Sequence, residues 1–192
     1  ASTIVKITDD TDLSSMIGNT LSEYLKVKIT DDFGNPIARF PVRFEVLSRK
    51  AADGGSIDGN VDSVKVKETD SNGFAWVQFK LGRNAGVKIN QIQASAENAG
   101  TGVKLNGSPV LFQVTGTSTN ATQIALVDGG EQSGVVGQHL PRDIQVKAMD
   151  IYNNAVKGQP IRFRILPEDT LQTEGIGALG TSAAIDTSVN TD

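Results

Sequence analysis

Few side chains in this 192-residue sequence have the type and spacing that chemistry needs. One histidine, His139, and no cysteine are present. A hydrolytic dyad, a zinc site, a disulfide and a thiol nucleophile therefore cannot be built, and His139 reads as a surface residue. Two oxygen-rich clusters, Asp9, Asp10 and Asp12, then Asp31, Asp32 and Asn35, could hold calcium. Neither belongs to an Asp-x-Asp-x-Asp-Gly loop with a distal Glu, and Asp and Asn are what turns use, so the expectation is turn chemistry. Lys26 and Lys28 raise the idea of an internal Lys–Asn cross-link. Alternation points both away from the core, where the desolvation such a bond requires is missing. Asn106-Gly107-Ser108 and Asn120-Ala121-Thr122 are formal glycosylation sequons on predicted loops. The sharpest expectation falls on Phe74 and Trp76. Alternation puts them opposite Ala75, Val77 and Phe79, facing outward, where exposed aromatics either meet a partner or pack on an adjacent domain. No catalytic, cofactor-binding or metal-ligating set is expected.

The elements that must position these residues are strands. In residues 25–30, Leu25, Val27 and Ile29 alternate with Lys26, Lys28 and Thr30; in residues 41–46, Val42, Phe44 and Val46 alternate with Arg43 and Glu45. That period of two marks half-buried β-strands, and Asp31-Asp32-Phe33-Gly34-Asn35-Pro36 supplies the turn between them. The stretch is written twice. Asp150, Asn154, Pro160, Arg162 and Phe163 match Asp31, Asn35, Pro41, Arg43 and Phe44 at a constant offset of 119 residues. Ile144, Val146 and Ala148 replace the first inward set, and Ile161, Phe163 and Ile165 the second. Solenoid repeats run about 20–50 residues, whereas a sandwich domain needs roughly 100, so this spacing predicts two domains in tandem.

Along the chain, residues 3–8 are expected to form a strand with Val5 and Ile7 inward, returning through Met16, Ile17 and Gly18. After the repeated pair come a strand carrying Val61, Val64 and Val66, one over residues 74–81, one through Val87, Ile89, Ile92, Ala94 and Ala96 whose change of phase suggests a bulge, a polar excursion over residues 98–108, and a closing strand at Val110, Phe112 and Val114. Seven strands make residues 1–116 a complete sandwich. Residues 117–120 read as a linker and 121–192 as a second sandwich that stops after about four strands, to be completed by more of the same chain or a strand of another. The net charge of −4 with scattered Lys and Arg leaves no basic stripe for nucleic acid, and no apolar run approaches the roughly 18 residues of a membrane span.

A Gly-x-x-Leu step at Gly18–Leu21, the Asp-x-x-Gly-Asn-Pro turn at 31–36, Pro-Val-x-Phe-x-Val at 41–46, Thr-Asp-x-x-Gly-x-Ala at 69–75 and Leu-Gly-x-x-Ala-Gly at 81–86 together resemble the bacterial immunoglobulin-like domain, group 1, of intimin and invasin type. The second copy departs at the turn, with Tyr152-Asn153-Asn154-Ala155 where Gly-Asn-Pro is usual. The resemblance implies all-β tandem immunoglobulin-like sandwiches in an extracellular or cell-surface bacterial protein. It implies a stalk, fibre or filament without catalysis or cofactor, whose partners are neighbouring domains of the same chain or of adjacent subunits, and a surface receptor or glycan. Alternatives are an adhesin or carbohydrate-binding module, and an accessory domain of a secreted multidomain enzyme.

Overall fold

The computed structural model describes residues 1–48, 54–59, 63–166, 179 and 186–191. Every regular element among them is a β-strand. The chain divides into two compact units, Ala1–Ser118 and Thr119–Asp192.

Unit 1 is built on two facing sheets. Strand β1 (Thr3–Lys6), with β2 (Ser14–Met16), β3 (Leu25–Thr30), β4 (Pro41–Val46), β5 (Ser56–Ile57), β6 (Val64–Glu68), β7 (Phe74–Val77), β8 (Phe79–Lys80), β9 (Gly86–Ser95) and β10 (Val110–Thr117), follow in chain order. One sheet runs β1-β3-β7, the other β2-β10-β9-β4-β6, and β5 pairs with β8. Alternation does the rest: Leu25, Val27 and Ile29 from the first sheet and Val42, Phe44, Ile92, Ala94, Phe112 and Val114 from the second close over one core, consistent with a β-sandwich. Each fully buried Phe or Leu there contributes about 1.5–3 kcal/mol through area removed from water.

Three sequence expectations change. Ile4, not Val5 or Ile7, enters the core: Ile4 is 2% exposed and sits opposite Ile29, while Val5 and Ile7 stand 47% and 46% exposed. The excursion at 98–108 is less polar than its composition, because Leu105 is buried, its N–H donating to the Ala96 carbonyl at 3.0 Å. Val66 is exposed, and the positions of β6 opposite Val42 and Phe44 carry Lys67 and Lys65. Lys67 reaches Asp58 at 2.7 Å; charged residues on the inner side of an edge strand discourage addition of another strand. Val61 lies outside the described residues. The expected bulge falls in β9, where Val114 faces Asn90 but Gly116 faces Gly86, so Val87, Lys88 and Ile89 loop out of register. Val87 and Ile89 are exposed as a result.

Unit 2 holds β11 (Gln123–Asp128) paired with β12 (Gln145–Met149), and β13 (Pro160–Arg164) paired with β14 (Asp186–Asn190). Ala148 and Ile161 are buried, Val146, Phe163 and Ile165 half-buried, and Ile144 exposed, so the second inward set is only partly covered. The sequence after β13 predicts a loop over residues 167–182, which lies outside the described residues except Leu179.

Both units carry the same hydrogen-bonded scaffold. Asp31 Oδ1 accepts the N–H groups of Phe33 and Asn35 at 2.9 and 2.8 Å. Asp150 Oδ1 accepts those of Tyr152 and Asn154, both at 2.9 Å. Asp70 repeats the arrangement with Asn72 and Phe74, both at 2.9 Å. The loop closes only if its fourth residue is left-handed, and Gly34, Gly73 and Asn153 have φ of 83°, 77° and 66°. Asn tolerates that region better than other side chains, so the departure at Tyr152-Asn153-Asn154-Ala155 keeps the turn. Downstream, Thr69 Oγ1 donates to the Ile37 carbonyl at 2.6 Å and accepts from Phe40 N–H at 2.8 Å. Thr191 Oγ1 likewise donates to Val156 at 2.6 Å and accepts from Gln159 N–H at 2.9 Å.

Asp150 is fully buried and also accepts the Asn154 side-chain amide at 3.0 Å and the N–H of Thr119 at 3.2 Å. Burial alone would push its carboxyl up, but the Asn154 amide and the backbone N–H groups of Asn154, Tyr152 and Thr119 outweigh it and hold the group below its ordinary value of 3.8. The native state then binds fewer protons than the unfolded chain. Its stabilisation is complete above the ordinary value and is lost as pH falls through the lowered native one. Amide-exchange protection of β12, followed in the full chain from pH 7 down to 2, is expected to fall below pH about 4. In Asp150→Asn that acid limb should flatten, with protection at neutral pH lowered by about 1.5 kcal/mol or more.

Candidate partner-binding face

The outer face of the three-stranded sheet is where sequence and structure place the exposed aromatics. Pairing of β3 with β7 sets Lys28 opposite Phe74 and Lys26 opposite Trp76. On the other side of β3, Val5 lies opposite Lys28, and the N–H of Ile7 donates to the Lys26 carbonyl at 2.9 Å. Two rows cross the sheet as a result, Val5–Lys28–Phe74 and Ile7–Lys26–Trp76. Tyr24, two residues before Lys26 and 52% exposed, extends the strip.

Local chemistry fixes each position. Asp70 accepts the Phe74 N–H and so sets where β7 begins. Thr8 Oγ1 donates to the Tyr24 carbonyl at 2.6 Å and accepts from Lys26 N–H at 2.8 Å, tying the end of the first strand to the start of β3. Ala75 and Val77 are buried on the opposite side of β7, which holds Trp76 outward at 40% exposure with Phe74 half-buried beside it. A register slip would bury these rings; the pairing of Leu25 with Val77 shows that none has occurred.

The lysines reach over the rings. Lys26 Nζ stands 3.9 Å from the Phe74 ring centroid and 5.6 Å from that of Trp76, and Lys28 Nζ stands 5.5 Å from Phe74. At such an exposed site a cation–π contact contributes about 0.5–1 kcal/mol. Neither lysine forms an ion pair among the described residues. The face is therefore apolar and aromatic at its margins and cationic at its centre. It suits an anion that brings an apolar surface with it.

The other candidates disperse. His139 is exposed. Asp9 turns back on the Thr11 N–H and hydroxyl, while Asp10 takes Lys6 Nζ at 2.9 Å and the Gln113 N–H at 2.8 Å. The Asp31 cluster is spent on its own turn. No group of three acidic or histidine side chains able to hold a metal occurs among the described residues. A concavity of about 550 Å³, lined by Arg43, Gln93, Glu97, Lys104 and Pro109 among others, lies on the outer side of the five-stranded sheet. The N–H of Phe33, at a turn tip and 90% exposed, serves the Asp31 loop while its ring projects freely.

Sequence reasoning missed Tyr24, Val5 and Ile7 as parts of this face. Tyr24 shares the parity of Lys26 and Lys28 and was legible from it; Val5 and Ile7 were assigned to the core. Comparison with protein-family models finds no match, and comparison with curated proteins finds none similar to this chain.

Proposed function

We propose that this chain is a non-catalytic structural module of an extracellular bacterial stalk, surface fibre or filament, made of tandem immunoglobulin-like β-sandwiches. The strand orders β1-β3-β7 and β2-β10-β9-β4-β6 support the immunoglobulin-like reading, since they set the first, second and fifth core strands against the third, sixth and seventh, with the fourth, β6, beside the third. The single observation that carries the structural role is the pairing of β2 with β10. These lie near the two ends of unit 1 and run parallel, Ser14, Ser15 and Met16 facing Thr115, Gly116 and Thr117. Tension applied to the ends of the unit therefore draws the two strands past each other in shear. All of their hydrogen bonds resist together, including Thr115 N–H to Leu13 at 2.9 Å and Ile17 N–H to Thr117 at 3.0 Å. The repeated Asp turn and Thr latch fit a unit copied in series.

A second reading, an adhesin or carbohydrate- or receptor-binding module, is favoured by the half-exposed Trp76 and the lysines beside it. Protease treatment of intact cells that make the protein tests the shared premise. Cleavage without lysis is the expected result, and a chain that becomes accessible only after lysis contradicts both readings.

A further inference from the structure

We infer that the outer face of β1, β3 and β7 binds a short acidic saccharide, a chain of carboxylated sugars whose carboxylates meet Lys26 and Lys28 while a sugar ring lies against Trp76. The inference rests on the second reading above and gives it a ligand class.

Charge is the first argument. Lys26 and Lys28 project side by side from one strand, about 7 Å apart at strand rise, with no carboxylate opposite either of them among the described residues. Their ammonium groups rest instead on Phe74 and Trp76, contacts weaker than a charge-assisted hydrogen bond to a carboxylate. An incoming carboxylate therefore gains more than it displaces, and lifting the ammonium groups uncovers ring surface for the rest of the ligand.

Size is the second. Three strands about 4.8 Å apart and the four residue steps from Tyr24 to Lys28 outline a strip about 10 by 14 Å. That is far below the roughly 800 Å² each partner gives to a stable protein interface. Its composition points the same way, because lysine is depleted from the centres of protein interfaces and here it is the centre. An extended peptide would add by its backbone at an open edge of this sheet, β1 or β7, rather than lie across the side chains of its face. What the strip offers is half-exposed rings with a few fixed polar groups, Phe74, Trp76 and both lysines on strands and Tyr24 just before one.

The protein supplies its own probe, since Trp76 is its one tryptophan. The full chain is titrated with oligogalacturonate and with sialyllactose, and in parallel with a neutral malto-oligosaccharide and with polyglutamate, following Trp76 emission and heat. At least one acidic saccharide is expected to give a saturable emission change, weakened ten-fold or more in Lys26→Gln/Lys28→Gln and abolished, by calorimetry, in Trp76→Ala. Circular dichroism of both variants is expected to match the parent, as all three side chains point out of the core. Silence with both acidic saccharides overturns the proposal, and so does equal affinity in the double lysine variant. A saturable response only to the neutral sugar or to polyglutamate overturns the ligand class while leaving a binding face. Silence with all four removes the binding-face reading too.

Discussion

Phe44→Ala is expected to destabilise unit 1 by about 3–5 kcal/mol, through lost transfer energy and the cavity left behind. Phe44 is fully buried, opposite Ala94 and Lys65 on its two neighbouring strands, and belongs to the core cluster shared by both sheets. A loss of that size is a large part of the 5–15 kcal/mol by which domains are held. Urea unfolding of the full chain read by Trp76 emission reports on unit 1 alone, because no other tryptophan exists. With a slope of about 1–3 kcal/mol/M the midpoint should fall by more than about 1 M. The repeat provides the control. Phe163 occupies the equivalent position in unit 2, where it is only half-buried. Phe163→Ala is expected to leave the Trp76 transition in place, and an equal shift in the two variants would show that the units do not fold separately.

Gly73→Ala has the second largest expected effect, at more than about 2 kcal/mol. Gly73 is left-handed at φ 77°, where a side chain costs about 1–2 kcal/mol. An added Cβ would also stand 2.6 Å from the Ile29 carbonyl oxygen and 3.0 Å from Pro36 Cβ. Backbone there has no room to retreat, since Ile29 N–H donates to the Gly73 carbonyl at 2.8 Å. Gly34 separates the two effects: its φ is 83°, but nothing lies within 4 Å of an added Cβ. Gly34→Ala should therefore lose only the conformational part, about 1 kcal/mol. The same urea transition measures both, and equal losses would mean that the close approach to β3 contributes nothing. Because Gly73 precedes Phe74 directly, its substitution should also disturb the ring that lies under Lys26.

What could be read from the sequence follows from how local each feature is. β3 and β4 are apolar at every second residue and polar between, so only one face can be inward, and Leu25, Val27, Ile29, Val42 and Phe44 are buried as that pattern requires. β1 has Ile4 and Val5 side by side, with Ile7 just after it, so alternation allows two answers and the pairing with β3 chooses Ile4. The aromatic face was half legible. The outward sense of Phe74 and Trp76 follows from their own strand, but the partners that define the site come from Lys26, Lys28 and Tyr24, about fifty residues earlier, through a register that no local pattern encodes. Leu105 shows the same limit: of Val103 and Leu105 in the loop at 98–108 only Leu105 is buried, beside a backbone hydrogen bond to Ala96 made across the loop. The turn at Asp150 looked irregular beside Asp31 because residue types differ, yet the requirement is a backbone one, a carboxylate followed three residues later by a left-handed residue, and Asn153 satisfies it.

We propose that unit 1 carries tension through the parallel pairing of β2 with its last strand, β10. Stretching the full chain by its two ends, one molecule at a time, tests it most directly. Unfolding of the 118-residue unit should appear as one abrupt event releasing roughly 40 nm of chain, less the folded length, at a force that drops sharply in Ser15→Pro, which removes a backbone N–H from the middle of β2. A unit that yields gradually, or whose rupture force is the same with and without the proline, would contradict the account.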